Sequence, residues 1–306
     1  MIVRGRARSA RGRAGVQRGH SNRAVRDALE QTRQPAEGSG LRPVRGVATP
    51  LPSGEFAHLR RAPSAALQPF VEHLWCVQWR LPAGAAQRVA TVPHPCVHWT
   101  FEAGACTLTG PHTRLWQREL APQGQVLGIK FRPEGFRAYW GAPVSGLRDL
   151  IQPAKELPAL AFAHDLGQRL FGELAGESLD TRFDAIEETL EQALPLRAQE
   201  PLQLAALIDT VRDDRDLLRA DAWAERAGLS LRQLQRLLAD WVGVSPKWIL
   251  ARYRLHEALH RLQQQPAPRL ADLAADTGYA DAAHFSRSFR GVLGVSPQQY
   301  ARLWLS

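Results

Sequence analysis

From about Glu55 to Gly141 the apolar residues come in short, often alternating runs: Leu74-Trp75-Cys76-Val77-Gln78-Trp79, Cys96-Val97-His98-Trp99-Thr100-Phe101, Cys106-Thr107-Leu108-Thr109 and Val126-Leu127-Gly128-Ile129-Lys130-Phe131. A period of two sends successive side chains to opposite faces, so these runs predict strands. Pro82-Ala83-Gly84, Glu102-Ala103-Gly104 and Pro122-Gln123-Gly124 supply turn chemistry between them. The segment therefore predicts a β-rich domain, barrel- or sandwich-like. From about 143 to 200 the period lengthens. Leu157, Leu160, Leu166 and Leu170, then Leu179, Phe183, Ile186 and Leu190, recur at helical intervals and predict a helical connector. Pro195 to Pro201 marks a linker.

Beyond the linker the pattern repeats itself. Ala224-Glu225-Arg226-Ala227-Gly228 is followed by Gly243-Val244-Ser245-Pro246, and fifty residues on Ala274-Ala275-Asp276-Thr277-Gly278 is followed by Gly294-Val295-Ser296-Pro297. Between glycine and proline each copy carries a matching signature, Leu234-x-Arg236-x-Leu238 and Phe285-x-Arg287-x-Phe289, at an offset of 51. Small alanines allow close helix packing, and Gly228 or Gly278 supplies the permissive backbone that ends the first helix. Ser230 and Asp281 can cap the second by accepting from its free amides. Each copy thus predicts helix, tight turn, helix. Trp248, Ala251, Leu255, Ala258, Leu259 and Leu262 predict a spacer helix between the copies, stopped by Pro266 and Pro268. About 16 residues at ~1.5 Å each make a rod of ~24 Å, stiff enough to hold one unit against the other.

Residues from about 202 to 304 resemble the DNA-binding domain of AraC-type transcription regulators. The resemblance rests on Gly228-Leu229-Ser230, Leu234-Gln235-Arg236, Gly243-Val244-Ser245-Pro246, Arg254-Leu255-x-x-Ala258, Leu273-Ala274, Gly278-Tyr279, Phe285-Ser286-Arg287-x-Phe289 and Gly294-Val295-Ser296-Pro297-x-x-Tyr300. It implies two helix-turn-helix units that insert their second helices into successive major grooves of double-stranded DNA. Trp223 departs from the family's small aliphatic residue, and Ala282-Ala283 from its usual polar pair. More weakly, Gly128-Ile129-Lys130-Phe131-Arg132-Pro133 is similar to the β-rich regulatory domain that precedes such units. The resemblance admits a small-molecule effector, RNA polymerase and a second copy of the chain as partners. In this family the connector helices often form a dimer interface; covering the β domain is the alternative.

At 306 residues the chain has room for two domains with separate cores. We divide it into an Arg-rich tail (1–45), a β-rich regulatory domain with its connector (46–200) and a DNA-binding domain (201–306). The fold class is multidomain α+β, with an all-α C-terminal domain. The net charge of +9 is unevenly spread: residues 1–45 contribute +8, residues 46–200 −2 and residues 201–306 +3. The tail has too little apolar surface to offset ordering entropy, so disorder is expected there. It reads as a dispensable tail, a basic arm on DNA, a targeting peptide or sequence upstream of the true start. Cys76, Cys96 and Cys106 lack metal or disulfide spacing and fit a reducing, cytoplasmic setting of bacterial type. No apolar run reaches the ~18 residues that a membrane span needs.

Candidate chemistry concentrates on the second helix of each unit. After the Ser230 cap, Arg232, Gln235 and Arg236 share one face while Leu234 and Leu238 face inward. Arginine can grip guanine, and glutamine adenine, with paired hydrogen bonds. In the second copy the corresponding face offers Ala282, Ala283, His284 and Arg287, with Ser286 nearby, and is expected to lean on backbone contacts. The alternative is that Arg236 and Arg287, at equivalent positions, bond within their own units. In the β region His94, His98 and His112 evoke a metal-dependent barrel enzyme fused to a DNA-binding domain, the second functional reading. No carboxylate stands at a spacing that completes the set, and no nucleophile elbow, phosphate loop or dinucleotide fingerprint is present. No catalytic residue, metal or cofactor is therefore assigned. An architectural DNA-binding protein is the third reading. Trp75, Trp79, Trp99, Trp116 and Trp140 are expected mainly in packing, with one or two lining an effector pocket.

Overall fold

The alternating runs pair as antiparallel strands. The structure, a computed structural model, describes residues 46–50, 54–84, 87–194, 200–214, 216–264 and 269–304; the Arg-rich tail lies outside them. Among the described residues there are eight strands: β1 (Glu55–Arg61), β2 (Val71–Arg80), β3 (Gln87–Thr91), β4 (His98–Glu102), β5 (Ala105–Thr109), β6 (Trp116–Leu120), β7 (Gln123–Phe131) and β8 (Ile151–Pro153). Six make one sheet in the order β1-β2-β7-β4-β5-β8, and β3 pairs with β6 in a second. Of the expected barrel or sandwich, the closed barrel does not form, because neither sheet closes. β1 bonds only to β2, and β8 is a three-residue edge strand ending in a proline that cannot donate. The strand expected at Cys96 begins at His98, after a turn in which the Cys96 amide donates to the His94 carbonyl at 2.8 Å.

The large sheet has two differently used faces. Leu74, Cys76, Phe101, Leu127, Ile129 and Phe131 pack on one side against the helical layer. That layer comprises α1 (Phe136–Trp140), short turns over Ala154–Glu156, Pro158–Ala163, Leu166–Gln168 and Arg169–Glu173, and α2 (Leu179–Gln192). Leu160, Leu170, Phe183, Ile186 and Leu190 are buried there, so the connector covers the sheet. Its first half is broken into turns rather than one helix, with Pro158 starting one of them. On the other face Trp79 and Val126 meet Leu120 and Val89 of the small sheet. Between the layers, and reaching helix α6 defined below, lies a cavity of about 720 Å³.

The C-terminal helices are α3 (Glu200–Asp213), α4 (Ala220–Arg226), α5 (Leu231–Trp241), α6 (Pro246–Gln264), α7 (Leu270–Asp276), α8 (Ala282–Leu293) and α9 (Pro297–Arg302). The expected spacer is α6, and at 19 residues it is ~28 Å long. Pro266 and Pro268, assigned to stop it, lie outside the described residues. Helix α6 belongs to two cores. Ile249 and Leu250 join Trp223, Leu234 and Leu238 of the first unit. Leu255, Ala258, Leu259 and Leu262 join Leu273, Phe285, Phe289 and Tyr300 of the second. Each buried leucine contributes up to ~2 kcal/mol, which fixes both units on one rod.

The second core also takes in Ala48, Ala90 and Val92 from the β domain. Tyr300 Oη donates to the Val47 carbonyl at 2.8 Å, Arg252 Nη2 to that of Thr113 at 2.7 Å. His256 stacks on His94 at 3.9 Å between ring centroids. The β domain is therefore docked along the spacer helix.

Candidate nucleic-acid interface

The two units are built alike down to single bonds. Gly228 and Gly278 adopt φ of +67° and +73°, the left-handed region that side chains disfavour. The next amide then reaches back five residues in both: Leu229 N to Ala224 O at 2.9 Å, Tyr279 N to Ala274 O at 2.8 Å. As expected, Ser230 and Asp281 cap the helices that follow. Ser230 Oγ accepts from Gln233 N at 3.3 Å, and Gln233 Oε1 in return accepts from Ser230 N at 2.8 Å. Asp281 accepts from His284 N at 2.6 Å, and that amide more than any other group holds its carboxyl below the ordinary range. The serines of both Gly-Val-Ser-Pro motifs cap as well, Ser245 on α6 and Ser296 on α9.

These caps set the rotation of α5 and α8. On α5 Leu234 and Leu238 are fully buried, and Arg232, Gln235 and Arg236 are exposed together on the opposite side. On α8 Phe285 and Phe289 are buried, with His284 and Arg287 exposed. The structure thus brings the sequence-chosen residues of each helix onto one solvent face. Arg236 and Arg287 make no hydrogen bond or ion pair within their units among the described residues. Ser286 differs: it is half-buried and its hydroxyl donates to the Ala282 carbonyl at 2.7 Å. His284 packs edge-on against Tyr279 at 5.5 Å.

Arg290 was missed. It is exposed one turn beyond Arg287, and the three-residue spacing was its only signal. Arg254, part of the sequence motif, turns inward instead: its Nη1 donates to the Gly278 carbonyl at 2.8 Å and its guanidinium lies 5.1 Å from the Tyr279 ring. It ties the spacer helix to the second turn. The far end of α5 is held by the β domain, where Arg137 pairs with Asp240 at 3.2 Å and lies over Trp241.

Among the described residues no group of three His, Cys, Asp or Glu side chains is placed to hold a metal. His94 stacks on His256, and His98 sits beside Trp75. Burial lowers the His98 pKa to about 3 and raises those of Cys76 and Cys96 to about 12. No helix among the described residues is long and apolar enough to cross a membrane.

Two capped units, each presenting an exposed polar helix face and sharing one spacer helix, define a double helix-turn-helix architecture. Residues 223–303 match the family described as a helix-turn-helix domain, and residues 59–153 match a domain of unknown function, DUF6597. The chain is 37% identical over 117 residues to the HTH-type transcriptional activator RhaS of Escherichia coli O139:H28, covering 38% of this chain and 40% of that one. To RhaS of Escherichia coli O6:H1 it is 35% identical over 165 residues, 53% of this chain and 57% of the relative. The chain thus spans about half the length of the curated relatives it matches. Among solved structures it is similar to an AraC-type regulator from Chromobacterium violaceum, with 24% identity, a TM-score of 0.32, and coverage of 35% of this chain and 95% of that one. Residues 223–303 thus belong to the helix-turn-helix domain family.

Proposed function

We propose that this chain regulates transcription by binding a specific duplex site, α5 reading bases and α8 holding the backbone. The observation that carries the reading is the row of Arg232, Gln235 and Arg236, exposed together on a helix whose start is fixed by the Ser230 capping box. Each paired arginine or glutamine contact to a base is worth ~1–3 kcal/mol of discrimination. The shorter polar reach of α8, with Ala282 and Ala283 at its start, supports a positioning role for Arg287, Arg290 and His284. In this reading residues 201–306 form the DNA-binding domain and residues 46–200 the regulatory domain. A small-molecule effector, RNA polymerase and a second copy of the chain are the further partners it assigns, in a bacterial cytoplasm. The helix-turn-helix match over residues 223–303 and the similarity to transcriptional activators support this reading over a fused barrel enzyme.

Selection from randomised duplexes, followed by footprinting, tests it. A preferred site with protection in two major-groove segments ~34 Å apart is expected. Affinity without sequence preference would favour the architectural reading, and protection of a single groove segment would remove the two-helix mechanism.

A further inference from the structure

The two units have separate apolar cores, and helix α6 contributes to both. Its side chains change allegiance over a short stretch: Leu250 is the last of them buried in the first core, and Leu255 the first buried in the second. Arg254 stands at this crossing and donates from Nη1 to the Gly278 carbonyl at 2.8 Å. A shared rod sets how far apart the units sit along its axis. Turning of one unit about that axis is restrained best by a contact that lies off it.

Such a contact exists. The connection between α3 and α4, residues 214–219, carries adjacent leucines with different partners. Leu217 is buried in the first unit's own core. Leu218 crosses to the second unit: a Cβ added at Gly278 would lie 2.3 Å from Leu218 Cδ2 and 3.3 Å from its Cγ, so the leucine's isopropyl group takes the place of a side chain at 278. The first unit offers the comparison. Gly228 holds the same place in its own turn and has a similar φ, yet a Cβ there would meet nothing within 4 Å. Glycine at 228 answers to backbone conformation alone, whereas at 278 it also admits the neighbouring unit. The charged side chains on either side of the contact are exposed or paired elsewhere: Asp216 is exposed, Asp214 pairs with Arg226, Arg219 with Asp221, and Asp276 with Arg261 of α6. The contact is apolar, and it leaves Leu218 38% exposed, outside both cores.

We propose that Leu218 is a positioning residue for recognition: its contact with Gly278 holds the second unit against turning about α6 and so fixes the number of base pairs between the segments read by α5 and α8. The inference rests on the two-helix reading above. One extra base pair moves the second groove segment by ~3.4 Å and turns it by ~35° about the duplex axis, an offset that braced units cannot follow. The test starts from the duplex that the wild-type chain selects. It is compared with copies carrying one base pair inserted or removed between the two protected segments, each titrated with the full chain by fluorescence anisotropy. Wild type is expected to lose at least ~10-fold in affinity for either change, the cost of forfeiting a base contact, and Leu218→Ser at most ~3-fold. Leu218→Met keeps an apolar side chain of similar volume and should restore the wild-type response. A purely structural role would not move this readout, because loosening a core weakens every duplex alike. A wild-type chain indifferent to spacing, a Leu218→Ser chain that keeps the wild-type penalty or weakens every duplex by one factor, or a Leu218→Met chain that behaves as Leu218→Ser would each overturn the proposal. A selection that yields no two-part site would instead remove the two-helix mechanism itself, whereas a two-part site whose spacing penalty survives Leu218→Ser removes this inference alone.

Discussion

The duplication provides an internal control for docking of the β domain. Gly243 and Gly294 hold the same place in the two Gly-Val-Ser-Pro motifs, with φ of +85° and +77°. An alanine at Gly294 would meet nothing within 4 Å, so Gly294→Ala should cost only the left-handed conformation, ~1–2 kcal/mol. At Gly243 the added Cβ would stand 2.9 Å from the Val144 carbonyl oxygen and 3.1 Å from Pro111 Cγ, both in the β domain. Backbone cannot rotate away as a flexible side chain does, so the domains must separate slightly or strain. Overpacking of this kind adds ~1–3 kcal/mol. At ~2–4 °C per kcal/mol, thermal melts of the two variants should place Gly243→Ala clearly below Gly294→Ala. In a fragment of residues 201–306 the two should cost the same. Equal destabilisation in the full chain would refute the docking of the first unit against Val144.

Three further outcomes are expected. Arg232→Ala and Gln235→Ala should relax base preference in reselected sites, each by ~1–3 kcal/mol at the contacted pair, whereas Arg287→Ala should weaken all sites alike; the reverse pattern would overturn the division of labour. Deleting residues 1–45, which carry a net charge of +8, should leave the preferred site unchanged and flatten the dependence of affinity on salt; a shifted site in the truncated chain would contradict this. His58 and His98 have pKa values near 3 when folded against 6.5 when unfolded, so between those values only the unfolded chain binds their protons. Stability is then full above pH 6.5 and falls as pH drops below it, by up to ~1.4 kcal/mol per pH unit for each histidine. Melting midpoints from pH 7.5 to 5 should show this slope, and His58→Gln should reduce it.

Everything local about the DNA-binding units was legible along the chain. Gly228 and Gly278 had to turn left-handed, Ser230 and Asp281 had to cap, and the leucine and phenylalanine spacing set which side of α5 and α8 faces water. These depend on contacts within about six residues, and a duplicated sequence states them twice. Strands β2, β5 and β7 were readable for the same reason, their alternation being strong. β1, β3 and β6 were missed because the cavity-facing His58, Arg60 and Arg118 and the exposed Arg88 dilute the apolar pattern. The sequence pattern left barrel and sandwich open, and pairing decides against closure by leaving β1 and β8 as open edges. What tertiary structure alone decided are the non-local encounters. Trp75 finds its place over Gly128, Lys130 meets Glu72 across 58 positions, and Val144 approaches Gly243. A period in the sequence tells which face a residue takes, but the partner it meets there depends on strand order and domain docking, which are set by long-range pairing that no local pattern encodes.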